Sequence, residues 1–120
     1  MKKPLPQVTA ILAEISILSH GTDTEKSFAI QGRVTVDNSD QMRRALVTAL
    51  RDKPPSIAVD LSGVSYIDSS GLATLIEAAR IARNQRTRLV LSGIRDQPRY
   101  FFAVTHLDRL FDIREQGATK

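Results

Sequence analysis

Asp68-Ser69-Ser70-Gly71 is the stretch of this sequence with the clearest chemical content. It stands between a short apolar run, Ser56 to Leu61, and the helix-forming Leu72-Ala73-Thr74-Leu75-Ile76-Glu77-Ala78-Ala79. A serine hydroxyl in the first turn of a helix lies where free backbone N–H groups and the positive end of the helix dipole stabilise an anion. The chemistry that follows is reversible phosphorylation of the hydroxyl, a charge switch. Taken from the four residues alone, an ordinary helix cap is the plainer reading.

Other chemistries fail on residue type or spacing. A nucleophile elbow needs Gly-x-Ser-x-Gly, but Asp68 stands two before Ser70 and Ile67 two before Ser69. His20 and His106 are the only histidines, and neither has a sequence reason to meet Ser70 as a base. No Gly-rich phosphate loop ending in Lys-Ser/Thr is present. Asp108 and Asp112 are at most a helical turn apart and read as a solvated face. A phosphorylated-aspartate receiver needs acids clustered around a divalent ion. Here the first strand ends in Ser19-His20-Gly21 and a later one in Ser92-Gly93, which leaves Asp68 without metal partners. We therefore expect no catalytic residues, no metal and no cofactor.

The elements that position the tetrapeptide follow from periodicity. Glu14 to His20, a turn over Gly21-Thr22-Asp23-Thr24, and Ser27-Phe28-Ala29-Ile30-Gln31 read as an N-terminal hairpin. Asp37-Asn38-Ser39-Asp40 offers caps for a helix carrying Met42, Leu46, Val47 and Leu50, with Arg43, Arg44 and Arg51 mostly outside and Pro54-Pro55 as its stop. Ile57 to Leu61 reads as a central strand covered on both sides, and Ser62 to Ser70 as the loop leaving it. The helix Leu72 to Asn84 puts Leu72, Leu75, Ile76 and Ala79 on one face and Ala73, Ala78 and Ile81 off it. Those three permit close approach of a partner helix, or else widen an alanine-rich core stripe. Arg88 to Ser92 is the next strand, a third helix begins near Pro98 and runs through Tyr100, Phe101, Phe102 and Val104, and Phe111 to Arg114 is a last short strand. The order β-β-α-β-α-β-α-β predicts an α/β fold: a mixed sheet of about five strands, parallel in the centre, with an antiparallel N-terminal strand and three to four helices. In open α/β sheets the functional surface lies at the carboxyl ends of the strands, where this reading puts Ser70.

At 120 residues, 42% apolar and 25% charged, the chain has the balance of a single folded domain. We expect an N-terminal extension over residues 1–12 with a short helical turn using Val8, Ile11 and Leu12, a domain over 13–116 and a tail over 117–120. Absence of cysteine excludes disulfides and thiolate sites and suits a reducing compartment. Met1-Lys2-Lys3 resembles the start of a signal peptide, but the apolar segment after it is broken by Glu14 and Ser16. No apolar run approaches the ~20 residues of a membrane helix. The expectation is a cytoplasmic protein without membrane insertion. The net charge of +4 is concentrated: residues 80 to 99 hold six arginines against Asp96 alone, a local +5. With only six aromatics and no basic–aromatic interleaving, direct nucleic-acid binding is not expected. Arg80, Arg83 and Arg86 instead fit the C-terminal end of a helix, where cations complement the dipole, and we prefer that to a partner-binding patch.

The run Ile57-Ala58-Val59-Asp60-Leu61-Ser62-Gly63-Val64-Ser65-Tyr66-Ile67-Asp68-Ser69-Ser70-Gly71-Leu72 resembles the core motif of the STAS domain, the family of anti-sigma factor antagonists and sulphate-transporter tails. Ile30-Gln31-Gly32-Arg33-Val34 and Thr105 to Phe111 extend the likeness over roughly Glu14 to Glu115. The resemblance reverses the preference for a plain cap. It implies a single STAS-like domain whose phosphoacceptor is Ser70, modified by a partner serine kinase that is also an anti-sigma factor and reset by a metal-dependent serine phosphatase. The unphosphorylated form would bind that partner. The implied partner surface comprises Asp68, Ser69, Gly71, Gly32, Thr35, Ala73 and Ile81, with Ser69 capping the helix or accepting bonds from the turn. One departure is Gly32-Arg33-Val34-Thr35, where many antagonists carry an acidic residue. The alternative within the family is an accessory subunit of an ABC lipid-transport system, bracing the ATPase without phosphorylation.

Overall fold

A computed structural model describes residues 15–21 and 25–114. The expected extension over 1–12, the turn centred on 22–24 and the tail over 117–120 lie outside the described residues, as do the expected domain limits. The elements in order are β1 (Ile15–Gly21), β2 (Glu25–Val34), α1 (Ser39–Arg51), β3 (Ser56–Ile67), α2 (Ser69–Gln85), β4 (Arg88–Ser92), α3 (Asp96–Val104), a 3-10 turn (Leu107–Leu110) and β5 (Asp112–Arg114). The strands form one sheet in the order β1-β2-β3-β4-β5; β1 is antiparallel to β2 and the other neighbours are parallel. This is the expected mixed α/β sheet with three helices.

Each crossover steps one strand in the same direction, and right-handed crossovers of that kind put their helices on one face. The core agrees. Met42, Leu46 and Leu50 of α1, Leu72 and Leu75 of α2 and Phe102 of α3 join Ile57, Val59 and Leu61 of β3 in a single apolar cluster. Ala58 and Asp60 point the other way and are only half-buried. The expectation that β3 is covered by helices on both faces is therefore corrected: one face carries the core.

Three boundaries differ from the sequence reading, each for a physical reason. β3 runs on to Ile67 rather than stopping at Leu61, because Val64 and Ile67 are buried and the stretch pairs with β2 at Gln31↔Gly63, Gly32↔Val64, Arg33↔Tyr66 and Val34↔Ile67. Register shifts accommodate the irregular spacing, and Gly32 supplies one of the bent residues at φ 117°, a conformation that favours glycine. Second, α2 is phased differently: Leu72, Leu75, Ala78 and Ala82 are buried, Ile76 and Ala79 half-buried. Ala78 belongs to the core, and Ile81 packs half-buried against it, leaving Ala73 as the exposed member of the supposed outer trio. α1 lies alongside α2 and widens the buried stripe, and the two are tied by Arg43, whose Nε and Nη2 each donate to Glu77 at 2.9 Å. Third, a 3-10 turn, Leu107–Leu110, occupies the connection between α3 and the last strand. It precedes Phe111, which packs on Phe102 with ring centroids 5.5 Å apart, worth about 0.5–1.5 kcal/mol beyond burial.

Candidate functional site

The carboxyl ends of β2 and β3 and the first turn of α2 converge on Asp68. Its backbone N–H donates to the Val34 carbonyl at 3.0 Å, which carries the strand pairing one residue past Ile67. Its side chain then caps α2: Oδ1 accepts from the Ser70 N–H at 2.9 Å and the Gly71 N–H at 3.1 Å. The same oxygen accepts the Ser70 hydroxyl at 2.6 Å, and Oδ2 accepts the Val36 N–H at 3.0 Å. One carboxylate thus fixes the helix start, the serine hydroxyl and the loop after β2. Burial pushes the Asp68 carboxyl up, but donation from the Ser70 hydroxyl and from the N–H groups of Gly71, Val36 and Ser70 outweighs it and holds the group below its usual range.

The cap is Asp68, not Ser69. Ser69 is the exposed first residue of α2, so the expectation that it caps the helix is corrected. A longer-range consequence concerns the anion. The Ser70 and Gly71 N–H groups read as free for a phosphate are already bonded to Asp68. A phosphate on Ser70 Oγ would lose the hydroxyl donor and face a carboxylate, so its charge is felt at the surface rather than absorbed by the helix start.

Ser70 is half-exposed, with its hydroxyl oriented by Asp68. Gly71 is buried, and a side chain there would meet Ile67 Cγ1 at 2.6 Å and Val34 Cγ1 at 2.8 Å. Its contribution is close approach of helix to strands and an N–H, not a surface contact. Thr35 is half-buried within its turn: its N–H donates to Asn38 Oδ1 at 2.9 Å and its hydroxyl accepts from the Asp37 N–H. Gly32 lies in the bent end of β2. Ala73 is exposed one helical turn beyond Ser69 and Ser70, whereas Ile81 lies about three turns from Ser70 and does not join them.

Two residues that matter here were not singled out from the sequence. Val36, 74% exposed, is an apolar side chain on the loop that Asp68 holds. An apolar residue between Thr35 and Asp37 in a turn was its available signal. Gln97, from α3, accepts the Ile67 N–H at 2.9 Å and donates to the Ile67 carbonyl at 3.0 Å, clamping the strand just before Asp68. Nothing local announces a contact thirty residues away. Arg33, in the Gly32-Arg33-Val34-Thr35 segment whose Thr35 departs from the antagonist pattern, stacks its guanidinium 4.4 Å from the centre of the Tyr66 ring.

No group of three or more metal-ligating side chains occurs among the described residues. His20 lies near the end of β1 that pairs with the start of β2, and His106 follows the far end of α3; both are at the opposite end of the sheet from Ser70. Asp112 is paired with Arg88 at 2.6 Å. No helix among the described residues is long and apolar enough to cross a membrane.

The geometry defines a class: a small α/β domain that presents an oriented serine at a helix mouth, beside a loop with an exposed apolar side chain. The chain belongs to the STAS domain family, since the family described as Mlab, STAS domain matches residues 20–114. It is similar to the anti-sigma-B factor antagonist of Listeria monocytogenes serovar 1/2a, with 28% identity over 100 residues, 83% of this chain and 87% of that protein. Among solved structures it is similar to an anti-sigma factor antagonist from Mycobacterium paratuberculosis, at 22% identity and TM-score 0.72 over 84% of this chain and 86% of that one. It is also similar to the anti-sigma factor antagonist SpoIIAA in its unphosphorylated form, at 17% identity and TM-score 0.73 over 86% and 90%. At these identities the two structures speak for the fold alone.

Proposed function

We propose that this chain is a phosphorylation-switched binding module, an anti-sigma factor antagonist that docks on an anti-sigma factor with serine kinase activity while Ser70 is unmodified. The observation that carries it is the half-exposed Ser70 hydroxyl, oriented by Asp68 at the mouth of α2. The likeness to a protein named anti-sigma-B factor antagonist over 83% of the chain supports the same reading. In the transfer, Ser70 Oγ forms a bond to the γ-phosphorus of ATP, the bond from that phosphorus to the bridging oxygen breaks, ADP leaves and the hydroxyl proton passes to a base of the kinase. A metal-dependent serine phosphatase restores the hydroxyl with water.

The docking surface is Val36 and Thr35 on one side and Ser69, Ser70 and Ala73 on the other, with Asp68, Gly71 and Gly32 shaping it from behind. Phosphorylation adds about −1.5 to −2 charges at its centre. Binding falls, while the core, which does not contain Ser70, keeps the domain folded. The test is incubation with the anti-sigma kinase of the same genome and ATP: one phosphate is expected, lost in Ser70→Ala. Unmodified Ser70 alongside a phosphate elsewhere would end the proposal.

A second reading has specific support. The matching family's description names Mlab, Thr35 stands after Gly32-Arg33-Val34 where many antagonists carry an acid, and Asp68 occupies the N–H groups a phosphate would use. In that reading the same face braces the ATPase of an ABC lipid-transport system. Copurification of the chain with a membrane ABC complex, with Ser70 unmodified, would favour it.

A further inference from the structure

The other end of α2 carries a second surface. Its last turn and the residues after it are fixed to the end of α1: Gln85 Nε2 donates to the Leu50 carbonyl at 2.7 Å and to Thr87 Oγ1 at 2.9 Å, and the Thr87 hydroxyl donates to the Pro54 carbonyl at 2.8 Å. On this rigid mount lies a cleft of about 520 Å³ lined by the apolar Ala79, Leu110 and Phe111 and by Arg83, Arg86 and Arg109. Those three arginines are exposed, and none forms an ion pair or side-chain hydrogen bond among the described residues. Arg88, also on the cleft, is already neutralised by Asp112.

Helix-dipole complementarity accounts for only part of this. Arg83 is the basic residue of the last turn of α2, but Arg86 stands beyond the helix and Arg109 comes from the 3-10 turn. Arg86 is also left-handed, φ 63°, where an L side chain costs roughly 1–2 kcal/mol against glycine. Three guanidiniums, two from the end of α2 and one from the 3-10 turn, therefore line one cleft with apolar side chains. The preference for a dipole role over a partner surface, drawn from the sequence, changes once Arg109 is seen to join the helix arginines.

The chemistry of an occupant follows. Three spaced cations together with Ala79, Leu110 and Phe111 match a chain that offers both carboxylates and apolar side chains. Single-stranded nucleic acid needs exposed rings for stacking, and the one ring on the cleft, Phe111, is only 9% exposed. A membrane surface needs several protruding apolar groups, and here Leu110 at 41% exposure is the one large apolar side chain so presented. We propose that this cleft binds an acidic, partly apolar protein segment, a second partner separate from the one that meets Ser70. The 17 residues of α2 separate the two ends by about 25 Å, so both can be occupied at once.

The test is fluorescence anisotropy of labelled probes titrated with the full chain. The probes are a synthetic peptide of about fourteen residues, four helical turns, with Glu and Leu at helical spacing, a polyglutamate of equal charge and a single-stranded oligonucleotide of equal charge; vesicles of phosphatidylglycerol are tested by sedimentation. The Glu/Leu peptide should bind saturably and about tenfold more tightly than polyglutamate, and weaken with added salt. Arg83→Ala combined with Arg109→Ala should lower its affinity about tenfold with an unchanged melting temperature, while Arg44→Ala combined with Arg95→Ala, which removes the same charge elsewhere, should not. Ser70→Ala should leave the titration unchanged, which separates this proposal from the serine switch. Unsaturable binding, equal affinity for polyglutamate, tighter binding to the oligonucleotide or vesicles, or an equal loss in the control pair would overturn it.

Discussion

The two ends of α2 solve opposite problems with the same helix. At its start one carboxylate accepts four hydrogen bonds, from Ser70 N–H, Gly71 N–H, the Ser70 hydroxyl and Val36 N–H. At its end three guanidiniums carry no partner among the described residues. The start is closed and internally satisfied, so a change of one group there propagates through shared bonds to the neighbouring loop. The end is held from behind by Gln85 and Thr87 and leaves its charge to solvent, so changes there act through the field and not through the fold. A satisfied network is suited to switching and an unsatisfied cleft to attraction.

The comparison breaks most visibly at Asp68. Asp68→Ala strands the donors of two segments and should cost about 2–3 kcal/mol in urea unfolding, more than an exposed cap alone. Gly71→Ala should follow, at about 1–3 kcal/mol, because the added methyl meets Ile67 and Val34; the same denaturation experiment reads it. Acid sharpens the contrast. Asp68 is held below its usual carboxylate range, so its contribution is fully present above the unfolded value near 4 and is lost as pH falls through the folded one. Unfolding curves between about pH 6 and 2 should show that loss in the parent and a flatter acid limb in Asp68→Asn. Ser70→Ala removes one partly buried hydroxyl bond and should cost about 1 kcal/mol. At the other end, Arg83→Ala should move stability by no more than about 0.5 kcal/mol in either direction.

Much of this was legible in the sequence. The order of strands and helices, the antiparallel first strand and the serine at the mouth of a helix followed from periodicity and from Asp68-Ser69-Ser70-Gly71. What escaped was set by distant contacts. The second half of β3 reads as loop because Gly63 and Ser65 interrupt its alternation, and its pairing partner is thirty residues earlier. The phase of α2 is not legible because Ala73, Ala78, Ala79 and Ala82 give its faces little contrast, so the position of α1 decides which alanines are buried. Gln97 and Arg109 reach their places only through tertiary packing. The sequence does not distinguish the cap from its neighbour: serine and aspartate both cap well, and only the geometry shows Asp68 outside the helix and Ser69 within it.

The central claim is that Ser70 controls docking while the fold stays intact. Isothermal titration of the anti-sigma kinase with the chain, before and after stoichiometric phosphorylation at Ser70, tests it directly. The account predicts at least about a hundredfold loss of affinity, or roughly 2.7 kcal/mol, with the phosphorylated chain still folding cooperatively. Equal affinity for both forms would contradict it.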